Sequence, residues 1–111
     1  MPLRGLKSVP LNLPIEEAKQ IMLKSNQQIV PVLHSRDKRL VGYYEATDML
    51  NAETRPKLRA VSSFEENVGQ IAVLNKMVSH DIKLGRIVNA SGQLVGVVLR
   101  DRLIAQMIQR T

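Results

Sequence analysis

Cysteine and tryptophan are absent from this 111-residue chain, and its aromatic residues are limited to Tyr43, Tyr44 and Phe64. Without cysteine there is no disulfide, no thiolate metal site and no cysteine nucleophile, and a secreted origin loses its usual signature. With so few rings, the core must be built from Ile, Leu, Val and Met. Acidic residues are also scarce, with 10 Asp and Glu against 16 Lys and Arg. Met1-Pro2-Leu3-Arg4-Gly5 opens without an apolar signal region, and no apolar run approaches membrane-spanning length. A cytoplasmic protein with no membrane partner is the expectation. His34 and His80 are the only histidines and stand apart from metal-type neighbours, so no metal is expected.

What is present is 44% hydrophobic sequence, enough for one domain or for two half-domains that share a core. The net charge of +6 is uneven. Residues 1–54 hold seven Lys and Arg against six Asp and Glu, whereas residues 55–111 hold nine against four. The basic excess in the second half favours an anionic partner, whether nucleotide phosphate, nucleic acid or acidic protein, or else forms a solvated face.

The stretch Leu40-Val41-Gly42-Tyr43-Tyr44 has an echo in Leu94-Val95-Gly96-Val97-Val98, with the two glycines 54 residues apart. Each run follows a turn-prone cluster (Ser35 to Lys38, Asn89 to Gly92), and another apolar run precedes that (Ile29 to Leu33, Leu84 to Val88). Such spacing predicts a buried hairpin, made twice. Pro31 inside the first hairpin strand argues for an edge position, or for one where a backbone N–H is not needed.

Around the hairpins, Val9 before Pro10 predicts a short edge strand. Pro14, Glu16 and Glu17 begin a helix with Ile15, Ala18, Ile21 and Met22 on its apolar face, ending near Ser25-Asn26. Ala46 to Asn51 predicts a short helix, and the polar stretch Glu53 to Lys57, with Pro56, reads as a linker. Ala60-Val61 is a further strand candidate. Ser63-Phe64-Glu65-Glu66 matches a capping box, after which Val68, Ile71, Ala72, Leu74 and Val78 would form a buried helical stripe. Leu103, Ile104, Met107 and Ile108 define one face of a last helix. Each half then reads strand, helix, strand, strand, helix. The expected fold class is α+β (α/β-like), with repeats at 1–54 and 55–111 packed sheet to sheet about a pseudo-twofold axis.

Pro31-Val32-Leu33, a turn, Leu40 to Tyr44 and Asp48-Met49-Leu50 together resemble the core of a cystathionine-β-synthase (CBS) domain. The second copy, Leu84 to Val88, a turn, Leu94 to Val98 and Leu103-Ile104, resembles it too. The doubled pattern is similar to a tandem pair, or Bateman module, over nearly the whole chain. The resemblance implies a regulatory module that binds AMP, ADP, ATP or S-adenosylmethionine in clefts between the repeats and forms disc-like homodimers. Binding in that family uses a hairpin glycine, two apolar residues, Thr or Ser, two variable residues and Asp. A helix-start aspartate can accept hydrogen bonds from both ribose hydroxyls. The first repeat keeps Gly42 and Asp48 but has Glu45 at the hydroxyl position. The second keeps Gly96 but has Leu99 and Arg102 in place of hydroxyl and acid, with Gly85 at the usual proline position. One site, in the first repeat, is therefore expected.

Asp48 is the ribose candidate, against the plain alternative of an acid stabilising its helix dipole. Ile29, Val30 and Pro31 are the adenine wall, or ordinary core. Arg59, Arg100 and Arg102 are phosphate candidates because a guanidinium fork meets oxyanions in pairs; the alternative is surface ion pairing. One tyrosine is expected in the core and the other against a helix or dimer partner. No nucleophile–base pair, P-loop or dinucleotide fingerprint supports an enzyme. Three readings stand: an adenosyl-ligand sensor controlling a partner protein or domain, a degenerate pair serving as an interaction scaffold, and nucleic-acid binding through the basic half.

Overall fold

A computed structural model describes residues 6–51 and 56–109. The elements run β1 (Val9–Pro10), α1 (Ile15–Ser25), β2 (Ile29–Leu33), β3 (Leu40–Glu45) and α2 (Ala46–Asn51), then β4 (Ser62–Glu65), α3 (Gln70–Ser79), β5 (Leu84–Val88), β6 (Leu94–Leu99) and α4 (Arg100–Gln109). This is an α+β chain with two three-stranded sheets, ordered β1-β2-β3 and β4-β5-β6. It divides into two compact units, with Leu3–Ala60 in one and Val61–Thr111 in the other. In each, a parallel first pair is followed by an antiparallel hairpin.

In the first unit, α1 starts beside Pro14, with Glu16 and Glu17 in its first turn. It ends at Asn26, whose left-handed backbone (φ 55°) turns the chain so that the Gln27 N–H returns to the Met22 carbonyl at 3.2 Å. Cross-strand partners share a sheet face, so Val30 with Tyr44, and Val32, point one way, while Ile29 with Glu45 and Pro31 with Tyr43 point the other. The first face packs on Ala18 and Met22 of α1 and Met49 of α2, with Val9 completing the cluster. Both tyrosines are buried, Tyr44 in this cluster and Tyr43 on the opposite face. Neither is open to stack on a base.

Pro31 lies on the central strand, not at an edge. The chain tolerates it because of Tyr43, its cross-strand partner, whose N–H and C=O both bond to Arg59 on the other side. Pro31 therefore sits opposite a residue that asks nothing of its missing N–H. The Arg59 segment extends the sheet as an isolated antiparallel bridge. A Cβ on Gly42 would lie 2.6 Å from the Arg59 carbonyl oxygen and 2.8 Å from the Leu58 side chain. The repeated glycine is thus required, in this copy, by a close backbone approach.

In the second unit, Phe64, Val73, Met77 and Leu103 make the core, with Ile87, Val98 and Met107 packed on it. Two expectations are corrected here. Ser63 to Glu65 belongs to β4, so there is no capping box; α3 starts at Gln70 after Gly69 and has no side-chain cap. The strand wins because Phe64, the one large ring in this unit, fills the sheet face over Gly85. The buried stripe of α3 is accordingly Val73 and Met77, while Val68, Ile71, Ala72 and Val78 are exposed. On α4, Leu103 is buried and Ile108 is exposed.

The strand register also corrects the match of β5. Pro31 pairs with Tyr43, and the residue paired with Val97, the counterpart of Tyr43, is Arg86. Arg86, not Gly85, takes the proline's place, because the first hairpin loop is one residue longer than the second. Gly85 corresponds to Val30, and Phe64 fills the space a side chain would take.

Candidate functional site

The candidate site lies where β3 ends and α2 begins. Glu45 is the last residue of β3, and Asp48 is the third of α2. The Tyr43–Arg59 bridge puts the Arg59 side chain on the Tyr43 face, two residues from Glu45. There its Nε donates to Asp48 Oδ2 at 2.9 Å and its Nη2 to Asp48 Oδ1 at 3.3 Å. The same Nε lies 2.5 Å from Glu45 Oε2. The Glu45 side chain is 7% exposed, those of Asp48 and Arg59 25% and 29%. Fork geometry and partial burial make this a stronger contact than a surface pair. The Asp48 hydrogen bond, with the charges of Glu45 and Asp48, raises the Arg59 pKa above its already high usual value, against the opposing effect of desolvation. Arg59 is a permanent cation.

Two carboxylates thus converge on one guanidinium. Glu45 is the residue whose role the sequence did not disclose. The available signal was an acid in an apolar hairpin strand, but nothing in the sequence places Arg59 beside it.

The remaining candidates are placed as follows. Val30 is fully buried in the first core, so only its backbone is left for a ligand, and Pro31 is buried on the opposite face. The side chain of Ile29 is half-buried on the Glu45 face. Its carbonyl accepts from Gln27 Nε2 at 3.0 Å, and Gln27 also bonds both backbone groups of Lys7. Gln27 thus joins the approach to β1 to the start of β2. Arg100 and Arg102 belong to the other unit, at the start of α4. Arg100 Nη1 is 3.4 Å from Asp81 Oδ1, and Arg102 is exposed. Arg102 is third in α4 as Asp48 is third in α2, so the exchange of acid for base falls at one helical position. Arg86 Nε bonds Ser63 Oγ at 2.5 Å.

Among the described residues no group of His, Asp or Glu could hold a metal ion, and no helix is long and apolar enough to cross a membrane.

Residues 2–55 match the family model of the CBS domain. No curated protein sequence matches the chain. Among solved structures, the CBS domain of a bacterial CNNM/CorC family Mg2+ transporter superimposes with a TM-score of 0.82 at 16% identity, covering 97% of this chain and 71% of that one. The same kind of domain in complex with ATP gives 0.81 at 17% identity, covering 97% and 82%. A CBS-domain pair with bound AMP from Klebsiella pneumoniae gives 0.71 at 10% identity, covering 97% and 93%. At these identities the structural likeness establishes the fold, and it spans both units. Residues 2–55 thus match the CBS-domain family, and the chain as a whole has the fold of CBS-domain pairs.

Proposed function

We propose that the chain is a non-enzymatic, cytoplasmic regulatory module that binds an adenosyl compound in its first repeat and controls a partner protein or domain, acting as a homodimer. The observation that carries this reading is Asp48. It is a part-exposed carboxylate oriented by Arg59, at the position to which the resemblance assigns ribose binding, within the residues that match the family. Such a group accepts two hydroxyl hydrogen bonds from a ribose. Ile29 supplies an apolar contact on the neighbouring strand, and Val30 and Pro31 stiffen that strand. Support also comes from neighbours of the same fold that bind ATP or AMP. Ligand binding would shift the population of two arrangements by no more than its differential affinity for them.

A thermal-shift and calorimetry panel of adenosine, AMP, ADP, ATP and S-adenosylmethionine tests this. A ligand at 100 times its dissociation constant should stabilise the chain by about 2.7 kcal/mol. Failure of every member at millimolar concentration would end the sensing reading.

One observation favours the alternative of a ligand-independent scaffold. The Arg59 fork already occupies the Asp48 carboxylate. In that case Asp48→Ala would alter stability but leave control of the partner intact, whereas in a sensor it abolishes the ligand response.

A further inference from the structure

We propose that a second copy of this chain docks on the outer face of α3, antiparallel about a two-fold axis, with Ile71 of each copy on Val78 of the other. This names the contact behind the homodimer proposed above and rests on that reading.

A helix turns 100° per residue, so Val73 and Met77, which pack with Phe64 and Leu103, leave Asn75 diametrically opposite. Beside Asn75 on that outer face stand Ile71, 66% exposed, and Val78, 57% exposed, with Val68 just before the helix 40% exposed. Val68, Ile71, Asn75 and Val78 are spaced three, four and three residues apart, the seam by which one helix packs along another. The first repeat supplies an internal comparison. Ala18 and Met22 of α1 are the buried counterparts of Val73 and Met77, at the offset of 55 residues that separates Ile29 from Leu84. At the same offset, Ile71 and Asn75 stand where α1 has Glu16 and Gln20, both exposed. The second repeat thus has isoleucine where the first has an outward acid, and burial within the chain does not account for it.

Three features point to a second copy as the occupant. The face is uncharged: Lys76 is the single ionic residue of α3, and its ammonium sits over the Phe64 ring, 5.7 Å from the centroid. Two copies of a chain with net charge +6 repel each other over most approaches, and an uncharged face lets them meet without like charges in contact. The face is also self-complementary. Ile71 and Val78 lie equally far on either side of the helix midpoint, so an antiparallel pair places each on the other. Asn75 falls within one residue of the axis, where its amide, both donor and acceptor, meets its own copy. Finally, Ala72 and Ser79 flank the seam and are small enough for the helix axes to approach to about 8 Å. A seam of this width gives a reversible dimer, so stability measured in dilute solution does not draw on it.

Analytical ultracentrifugation of the intact chain, from about 1 μM to about 1 mM, decides the matter. The wild-type mass should rise from one copy to two across that range. Ile71→Glu and Val78→Lys should each remain single copies throughout, with circular dichroism unchanged because both positions are exposed in the folded chain. Mixed in equal amounts, the two variants should recover the two-copy species, since the introduced acid of one faces the introduced base of the other. A single-copy mass for the wild type at the top of the range would overturn the inference and the homodimer together, leaving adenosyl binding untouched. Dimers persisting in both variants would overturn it while leaving the homodimer in place on another face. No recovery in the mixture would overturn the antiparallel pairing.

Discussion

Arg59 lies antiparallel to Tyr43 and exchanges both backbone hydrogen bonds with it, at 2.9 and 3.0 Å. That one pairing adds the chain after α2 to the first sheet and explains why Gly42 has no side chain. It also delivers a guanidinium to Glu45 and Asp48. A link between distant positions thereby sets both the local fold and the pairing of the two carboxylates with Arg59.

Arg59→Ala removes a cation that contacts two part-buried acids. Unfolding in urea should show a loss of roughly 2–3 kcal/mol, below the 3–5 typical of a fully buried pair because Arg59 is partly hydrated. A double-mutant cycle with Asp48→Ala should return a coupling of about 1–3 kcal/mol. Additive losses would show that the fork contributes nothing.

Gly42→Ala drives a methyl group into the Arg59 carbonyl and should destabilise by about 1–3 kcal/mol. Gly92→Ala meets no neighbouring atom, but its φ of +80° strains any L side chain, at a cost of about 1 kcal/mol. Differential denaturation of the two variants separates steric from conformational strain.

On α3, Met77→Ala should cost about 2–5 kcal/mol, since Met77 is wholly buried beside Phe64 and Val73. Ile71→Ser, at a position 66% exposed, should change stability by less than about 0.5 kcal/mol. The reverse ranking would restore the stripe expected from the sequence.

Asp37 accepts from the Arg39 backbone N–H at 3.0 Å, and this bond, more than the nearby His34, lowers its pKa below the usual 3.8. The shift is downward, so its contribution to stability is present above the unfolded-state pKa and is lost as pH falls through the folded one. A side-chain NMR titration should give a midpoint below 3.8 for Asp37. The same titration of Arg39→Pro, which removes the donor, should raise it.

The hairpins and helices were legible because their signals are local. Apolar runs between turn clusters gave both β-hairpins, and the spacing of Ala18 and Met22 gave α1. Ser63 to Glu66 misled because a capping box is also only a local preference. Packing Phe64 over Gly85 outweighs it and pulls the segment into the sheet. Within the site, Asp48 was singled out only through the resemblance to CBS domains, whose pattern counts it from the repeated glycine. Its partner was not, because an ion pair between residues 48 and 59 leaves no periodicity.

Composition and repetition alone determined an aliphatic, cysteine-free chain with the same strand and helix order twice, and an acid in one copy where the other has Arg102. Those properties follow from hydrophobic period and turn chemistry, which act over a few residues. Only the tertiary structure decided that Arg86, not Gly85, stands in the place of Pro31, because register depends on counting through a loop. It alone decided that Glu45 and Asp48 share one arginine, since backbone pairing with Tyr43 is what brings Arg59 within reach.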